Sequence, residues 1–384
     1  MPASVLLKLA SLADPALTPR LVIKVGSALL VGGDGEARRD WLAALVGEIA
    51  AARAKGQQVI VVSSGAIALG ARRLGLAKGG RGSLADAQAA ASVGQIALAG
   101  LWAELLGAHG LIAAQMLLTL DDLEDRRRYL NVTATLGRLL DAGAVPVINE
   151  NDSVATQEIR FGDNDRLAAR VAQAGAANGV LLLSDIDGLY DREPGAAGAT
   201  RIPLVRGLTA AIHAMASAGS SSGLGSGGMT SKLQAAEIAG HAGIALGIID
   251  GRRQAPIGQA LAMGQGTLFL PKSRKNGPIS GRKAWLGGRL RLKGSLTVDA
   301  GAARALGKGS SLLAAGVTAV EGAFVRGDAV AVCDAAGAVL AHGLSEYDAG
   351  ECDVLKGRHS REHADILGYA PRNAMIHRDQ LVLL

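Results

Sequence analysis

Short apolar runs rich in β-branched residues recur along the first 270 residues, and stretches with helical periodicity separate them. Parallel strands need a crossover connection between them, so this alternation is typical of a parallel sheet with helices on both faces. The predicted strands span residues 21–26, 58–65, 111–119, 144–150, 179–185 and 244–251. The clearest predicted helix covers 40–56, with Asp40 as its N-cap and Gly56 at its end. The predicted fold class is α/β, with a mostly parallel sheet between helices.

Polar residues stand where several of these predicted strands end. In open α/β sheets ligands bind at the carboxyl ends of the strands, so these positions are candidates for one site. They are Lys24 and Gly26, Ser63 and Ser64, Asn149 to Asp152, and Ser184 and Asp185.

The alternating pattern stops at Leu270, and the chain then changes character. Residues 271–284 form a linker rich in Pro, Gly and Lys, and 285–384 read as a small β-rich module with short strands and Gly-containing turns. The predicted organisation is an N-terminal extension (1–19), an α/β domain (20–270), the basic linker (271–284) and the β-rich domain (285–384).

The net charge of +6 is concentrated in that linker. The linker carries 5 basic and no acidic residues, whereas 1–270 carry 24 against 23 and 285–384 carry 11 against 11. A protein that binds nucleic-acid backbones is expected to spread basic charge over a face, so the distribution argues against RNA as a partner.

The remaining composition is that of a cytoplasmic protein. Cys333 and Cys352 are the two cysteines, which suits free thiols in a reducing compartment. Lys8 interrupts the apolar N-terminal segment, which therefore fails as a signal peptide, and the uncharged stretches are too polar for a membrane span.

A glycine-rich loop at 223–228 runs through Lys232 into an apolar-periodic helix. Glycines let backbone N–H groups approach phosphate oxygens, the helix N-terminus adds partial positive charge, and the lysine adds a full charge. The spacing is not that of a Walker A loop. By itself such a run is more often a flexible linker, so its interpretation depends on the other loops.

The other loops each have a structural and a functional interpretation. Lys24 is either a solvated strand-end lysine or a point charge for a phosphate oxygen. The amides and carboxylates at 149–152 and 161–165 either make Asx turns or bind an amino acid's ammonium group or a magnesium nucleotide. Asp185 and Asp187 lack the further ligands of a calcium loop, and His359 and His363 lack the pattern of a zinc site.

The order of these motifs resembles the glutamate 5-kinase family of the amino-acid kinase superfamily. The resemblance rests on IKVGS, VVSSGAIALG, AQMLLT, VPVINENDSVAT, FGDNDRLAA, LLLSDIDGLY and SGLGSGGMTSKLQAA, and covers about 21–378. Beyond the linker, GSSLLAAGVTAVEGAF, AHGLSEY and ILGY resemble the PUA domain of many bacterial members, a small barrel-like β domain. Serines 63, 184 and 226 stand where threonine is frequent in the family.

The resemblance implies transfer of the ATP γ-phosphate to the side-chain carboxylate of L-glutamate, the first step towards proline, with proline as feedback inhibitor. It implies Lys24, Lys232 and Asp165 as catalytic residues, with Asp165 orienting the lysines, and Ser64, Asp152 and Asn164 as glutamate-binding residues. Asp152 would pair the substrate's ammonium group. ATP would be bound by Lys24, Ser184, Asp185, Ser226, Gly227, Gly228, Met229, Thr230, Ser231 and Lys232. No metal ligand is assigned, because Mg²⁺ would be bound mainly through ATP.

The resemblance also implies a homodimer or homotetramer and a transient contact with glutamate-5-semialdehyde dehydrogenase. Three alternatives stay open on the sequence. They are another kinase of the superfamily acting on uridylate, acetylglutamate or aspartate, an RNA-binding protein acting through the PUA domain, and a non-catalytic amino-acid sensor.

Overall fold

All six predicted strands of the α/β part form, each within two residues of its predicted ends. The computed structural model describes residues 8–154, 163–218, 228–271, 292–369 and 374–384. The chain divides into two compact units, Met1–Lys275 and Asn276–Leu384. The predicted linker from residue 272 onwards and the start of the β-rich module lie outside the described residues.

The strands of the first unit are β1 (Arg20–Val25), β2 (Gln58–Ser63), β3 (Ala113–Leu118), β4 (Val145–Glu150), β5 (Gly179–Ser184), β6 (Leu189–Tyr190), β7 (Arg201–Ile202), β8 (Leu204–Arg206), β9 (Ala245–Asp250) and β10 (Thr267–Leu270). Its helices are α1 (Ser27–Leu30), α2 (Arg39–Ala54), α3 (Ala66–Leu74), α4 (Leu84–Gly107), α5 (Leu120–Glu124), α6 (Arg126–Asp141), α7 (Asp163–Ala174), α8 (Ala210–Ala218), α9 (Met229–His241) and α10 (Pro256–Met263). Short 3₁₀ helices span Leu9–Ala13 and Ala77–Gly80.

Eight of these strands form one sheet in the order β3-β4-β2-β1-β5-β9-β10-β8. Neighbouring strands are parallel except β9 and β10, which are antiparallel. Strand β1 is flanked by β2 on one side and β5 on the other, so the strand order reverses at β1. Such a switch point opens a crevice at the carboxyl ends of the strands. The fold therefore places the end of β1, where Lys24 lies, at the position favoured for a ligand.

The core of this unit contains the buried strand residues and the apolar faces of α2 and α4. The predicted N-terminal extension contributes to it, because Leu9 and Leu12 of the first 3₁₀ helix are buried in the same cluster. The predicted N-cap of α2 was wrong. Arg38 occupies that position, and Asp40 lies in the first turn, where its charge still complements the helix dipole.

The prediction that the uncharged stretches are too polar for a membrane span was wrong for helix α4. By length and composition alone it is the one helix among the described residues that could cross a membrane. Its Leu98, Trp102 and Leu106 are buried in the core of the first unit. We therefore interpret it as a core helix that packs on α3 and the sheet.

The second unit has its own hydrophobic core and its own sheet, in the order β12-β11-β13-β14-β15. Its strands are β11 (Gly294–Val298), β12 (Val317–Gly322), β13 (Ala329–Cys333), β14 (Val339–Leu344) and β15 (Leu381–Leu383). Its helices are α11 (Ala300–Gly307), α12 (Ala349–Leu355) and α13 (His363–Leu367). Cys333 and Cys352 are both free thiols, as predicted.

Helices α3 and α4 touch backbone to backbone, and two glycines make this possible. A Cβ at Gly94 would lie 1.7 Å from the Ala66 carbonyl oxygen, and one at Gly70 would lie 1.8 Å from the Ala90 carbonyl oxygen. Neither contact can relax by moving a flexible side chain, because both partners are backbone atoms. The pair of glycines therefore sets the distance between α4 and the start of α3.

Gly94→Ala is expected to destabilise the protein by about 3 kcal/mol or more, because the added methyl group forces the two helices apart. Gly100→Ala is the matched control on the same helix, since nothing lies within 4 Å of its added Cβ. The control is expected to stabilise by about 0.5–1 kcal/mol through helix propensity. Chemical denaturation of the full chain followed by circular dichroism measures both changes, and equal stabilities for the two variants would contradict the packing argument.

Candidate active site

The carboxyl ends of the central strands open into one cleft of the first unit. Strand register brings these ends together, since Lys24 pairs with Val62 of β2 and with Leu182 of β5. Val62 in turn pairs with Ile148 of β4, which places Ser63 and Ser64 beside Asn149. The polar residues that line the cleft are Lys24, Ser27, Ser64, Arg81, Asn149, Glu150, Asp152, Asn164, Ser184, Asp185 and Lys232.

Asp165 lies under the cleft and binds two lysines from different elements. Its Oδ1 is 2.6 Å from Lys24 Nζ of β1, and its Oδ2 is 3.2 Å from Lys232 Nζ in the first turn of α9. Asp165 is fully buried, and both lysines are less than 10% exposed. The carboxylate balances one of the two ammonium charges, so the cluster keeps a net positive charge for an anion in the cleft.

The electrostatics of Asp165 depend on this pairing. Burial by itself raises the pKa of the Asp165 carboxyl, but attraction to Lys24 and Lys232 and hydrogen bonds from both hold that pKa below its ordinary value. Asp165 is therefore ionised at neutral pH. Removing its charge would leave two buried ammonium groups facing each other, which is costly in a low-dielectric environment.

The first turn of α9 supplies the groups that a phosphate needs. Gly228 is the N-cap and has no side chain, so no side chain of the N-cap residue occupies the first backbone N–H groups of α9. Ser231 Oγ donates to the Gly228 carbonyl at 2.9 Å and lies 3.3 Å from Asp165 Oδ2. Met229 and Thr230 belong to the same turn, and the predicted phosphate-loop residues Ser226 and Gly227 lie outside the described residues.

A chain of amide hydrogen bonds crosses the opposite wall of the cleft. Asn164 Nδ2 donates to Ser64 Oγ at 2.8 Å and to Asn149 Oδ1 at 3.4 Å. Asn149 Oδ1 also accepts from the Glu150 backbone N–H at 2.9 Å. Asn164 Oδ1 is buried and has no hydrogen-bond partner among the described residues. An unpaired buried acceptor in a cleft is a candidate contact for a donor group of a ligand.

Two carboxyl groups, Glu150 and Asp152, lie side by side at this end of the cleft. Burial and repulsion from Asp152 raise the pKa of Glu150 to about 7, with Arg166 opposing the shift. Burial also raises the pKa of Asp152 to about 6, with Arg81 opposing it. Perturbed carboxyl groups in a cleft are typical of functional sites. A cationic ligand would relieve the burial cost of both.

Arg81 reaches the cleft through an unusual turn. Lys78, Gly79 and Gly80 all have left-handed backbones, with φ of 52°, 61° and 75°. Gly80 also needs to be glycine because a Cβ there would lie 2.9 Å from Ala71 Cβ. The turn directs the chain so that Arg81 lines the cleft, close enough to Asp152 for their charges to interact.

Ser184 and Asp185 close the cleft on the side of β5. Ser184 Oγ donates to Asp185 Oδ1 at 3.1 Å and accepts from the Ile186 backbone N–H at 3.4 Å. Asp187 pairs with Arg201 at 3.0 Å and accepts a hydrogen bond from Tyr190 Oη at 2.9 Å. No group of three or more His, Cys, Asp or Glu side chains within the described ranges could hold a metal ion.

The structure thus brings most of the assigned residues of the described ranges to one cleft, although they are spread over more than 200 positions. Gly228, Met229 and Thr230 lie at the start of α9 but are not among the residues that line the cleft. The structure also adds residues that the sequence analysis did not assign individually. Asn149 and Glu150 carried a signal, their position at the end of β4. For Arg81 the preceding pair of glycines was a weak sequence signal. Gln95 of α4 accepts a hydrogen bond from Asn149, and no sequence signal marked it as part of the site.

Comparison with known protein families identifies the class to which this chain belongs. A family model described as "Amino acid kinase family" matches residues 19–250, and one described as "PUA domain" matches residues 294–367. The chain belongs to the amino acid kinase family and carries a C-terminal PUA domain.

Three relatives that match nearly the whole chain are named glutamate 5-kinase. The relative from Novosphingobium aromaticivorans is 75% identical over 377 residues, which are 98% of this chain and 99% of the relative. Those from Sphingopyxis alaskensis and Zymomonas mobilis are 60% and 56% identical, covering 97% and 96% of this chain and 100% and 92% of the relatives. The chain is therefore a member of the glutamate 5-kinase family.

The raised pKa of Glu150 makes stability depend on pH. Between about pH 4.5 and 7 the folded protein holds a proton that the unfolded chain releases, so this group lowers the free energy of unfolding as pH rises through that window. Glu150→Gln removes the effect. The variant is expected to gain on the order of 2 kcal/mol relative to wild type at pH 8 and little at pH 4.5.

Thermal unfolding of both proteins at the two pH values measures the difference. Glu104→Gln is the control, because the Glu104 side chain is 58% exposed and lies outside the cleft. The same Glu150→Gln effect at pH 4.5 and pH 8 would contradict the assignment.

Proposed function

We propose that this protein uses ATP to phosphorylate the side-chain carboxylate of L-glutamate, giving L-glutamyl 5-phosphate, the first step of proline biosynthesis. The observation that carries the proposal is the Lys24–Asp165–Lys232 cluster under a cleft that has amide and carboxylate groups at its other end. The name of the relatives, glutamate 5-kinase, supports the choice of substrate.

The reaction needs charge stabilisation more than proton transfer. A carboxylate with an ordinary pKa near 4.3 is ionised at neutral pH, so the acceptor needs no general base. The bond between the γ-phosphorus and the oxygen bridging it to the β-phosphate breaks, a new bond forms from that phosphorus to a glutamate carboxylate oxygen, and ADP leaves. The obstacle is repulsion between two anions, which Lys24 and Lys232 offset at the transferring group.

Asp165 acts on this step through the lysines. By binding both ammonium groups it fixes their separation before substrate arrives, so no reorganisation is needed during the reaction. Backbone N–H groups in the first turn of α9 add donors for the phosphate oxygens. Ser184 and Asp185 are proposed to face the nucleotide, and Ser226 and Gly227 to continue the phosphate loop.

Magnesium fits this site as a partner of ATP. The described carboxylates do not form a cluster that could hold the ion alone, and Asp165 is already paired with both lysines. Mg²⁺ is commonly carried by phosphate oxygens with few protein ligands, which agrees with this donor set. When bound, the ion neutralises charge on the β- and γ-phosphates.

Glutamate would lie with its side-chain carboxylate towards the lysines and its amino-acid end towards Asp152. Asp152 is the proposed partner of the ammonium group, and Ser64 and Asn164 contribute polar contacts. Arg81 supplies a cation for the α-carboxylate at that end of the cleft. Asp152 would thus complement the ammonium charge of the amino acid and Arg81 its α-carboxylate charge, with Ser64 and Asn164 as neutral hydrogen-bonding groups.

Hydroxamate formation tests the function directly, because hydroxylamine traps an acyl phosphate. The purified protein with ATP and Mg²⁺ is expected to form hydroxamate with L-glutamate and none with aspartate or N-acetylglutamate. Proline is expected to inhibit, since its ammonium and carboxylate can occupy the same end of the cleft. Absence of product with every acceptor would contradict the function, and full activity in saturating proline would contradict the inhibition.

Lys232→Met is expected to lower kcat by at least about 10²-fold, because the lysine charge acts mainly on the transferring phosphoryl group. The fold should persist, since Asp165 keeps its 2.6 Å ion pair with Lys24. Lys55→Met, at an exposed lysine that ends α2, is the control and should retain wild-type kcat. Near-normal turnover by a folded Lys232→Met enzyme would overturn this role.

The cytoplasm is the proposed location, and a homodimer or homotetramer the proposed assembly. The transient contact with glutamate-5-semialdehyde dehydrogenase stays a prediction, as does a structural or regulatory role of the charge-balanced PUA domain in place of RNA binding.

A further inference from the structure

We propose that Gln95, on helix α4 outside the recognised motifs, is a positioning residue that orients the amide of Asn164 towards the substrate's ammonium group. The inference rests on the proposed function, because it names how the same site recognises the amino group of glutamate. Gln95 acts through Asn149, whose Nδ2 donates to Gln95 Oε1 at 2.9 Å.

The place of Gln95 relative to the cleft is set by the backbone. Its neighbour Gly94 lets α4 touch the Ala66 carbonyl, the first residue of α3, where a Cβ would lie at 1.7 Å. Ala66 follows Ser64 and Gly65 directly in the chain. The packing of two backbones thus fixes the distance between Gln95 and the Ser64 end of the cleft.

The orientation of the Asn149 amide follows from its two neighbours. The Glu150 backbone N–H can only donate, so Asn149 must present Oδ1 to it, at 2.9 Å. Its Nδ2 then points the other way and needs an acceptor, which is Gln95 Oε1. Asn149 is only 2% exposed, and Gln95 Oε1 is the side-chain acceptor that the structure gives its amide nitrogen.

The orientation of the Asn149 amide determines the orientation of the Asn164 amide. Asn149 Oδ1 accepts from Asn164 Nδ2 at 3.4 Å, and Ser64 Oγ accepts from the same nitrogen at 2.8 Å. Both contacts use the amide nitrogen, so the amide oxygen of Asn164 is left over. That oxygen is buried and unpartnered among the described residues. This oxygen can accept a hydrogen bond from a ligand, and an ammonium group has three N–H donors.

Without the acceptor at position 95, the Asn149 amide loses the partner of its nitrogen. The Glu150 N–H still holds Asn149 Oδ1, so that amide keeps its orientation, but its nitrogen side is no longer anchored and the 3.4 Å contact of Oδ1 with Asn164 Nδ2 loosens. Asn164 is then held mainly by Ser64, and its oxygen is no longer kept in place for the substrate's ammonium group. The expected consequence is weaker glutamate binding, with the phosphate end of the cleft unchanged.

The test is steady-state kinetics of the full-length Gln95→Leu enzyme by the hydroxamate assay. KM for L-glutamate is expected to rise about tenfold, as for the loss of one hydrogen bond to a charged group, with kcat within about threefold and KM for ATP within about twofold of wild type. Gln95→Glu retains an acceptor oxygen and should bring KM for glutamate back to within about threefold of wild type.

Two further variants separate positioning from a general structural role. Ser92→Ala is the control on the same helix, where Ser92 is exposed and donates to the Gln88 carbonyl within α4, and it should leave both KM values unchanged. In an Asn164→Ala background, Gln95→Leu should add less than about twofold to KM for glutamate, because Gln95 acts through Asn164.

The variants are expected to fold, because Gln95 borders a cavity of about 290 Å³ that leaves room for a changed side chain. Gln95→Met, which also lacks an oxygen acceptor, replaces Gln95→Leu if the latter is insoluble. An unchanged KM for glutamate, or equal changes in both KM values, would overturn the role of Gln95 alone. A wild-type enzyme that forms no hydroxamate with glutamate would overturn the proposed function and this inference with it.

Discussion

The buried ion cluster of Asp165 with Lys24 and Lys232 is the interaction on which the rest of the site depends. An isolated buried charge costs several kcal/mol, so each of the three groups is tolerable only because the others are in place. Lys24 comes from β1, Asp165 from α7 and Lys232 from α9, so the cluster also ties the central strand to two helices. The surplus positive charge is what an anionic phosphate would complement, which makes one arrangement serve both folding and chemistry.

At the other end of the cleft, two buried carboxyl groups lie close together. They belong to Glu150 and Asp152, which lie largely out of water, and the pKa values of both carboxyl groups are raised. Asn164 adds a buried acceptor without a partner among the described residues. These features lower stability in the empty protein and favour a cationic group when one binds, which is a common relation between stability and function at binding sites.

Much of this architecture was predictable because the hydrophobic pattern of each segment and the polar residues at its end are visible in the sequence. The strands and the polar positions after β1, β2, β4 and β5 were predicted, since period and turn chemistry are local properties. The N-cap of α2 was mispredicted, because the helix begins at Arg39 and its N-cap is Arg38, whose side chain makes no capping hydrogen bond and whose backbone N–H bonds the Leu30 carbonyl. Arg81 was missed because its approach to the cleft depends on three consecutive left-handed residues.

By itself the sequence determined the α/β class, the predicted strands, the family and the residues that carry the charges of the cleft. The tertiary structure gave the geometry by which Asp165 binds the two lysines, a pairing that the family resemblance implied. It alone decided that Glu150 and Asp152 share a buried corner and that Gln95 belongs to the site at all. The reason is physical. Charge and periodicity are properties of the residues, whereas ion-pair geometry, desolvation and amide orientation arise only when distant segments meet, as α3 and α4 do through Gly70 and Gly94.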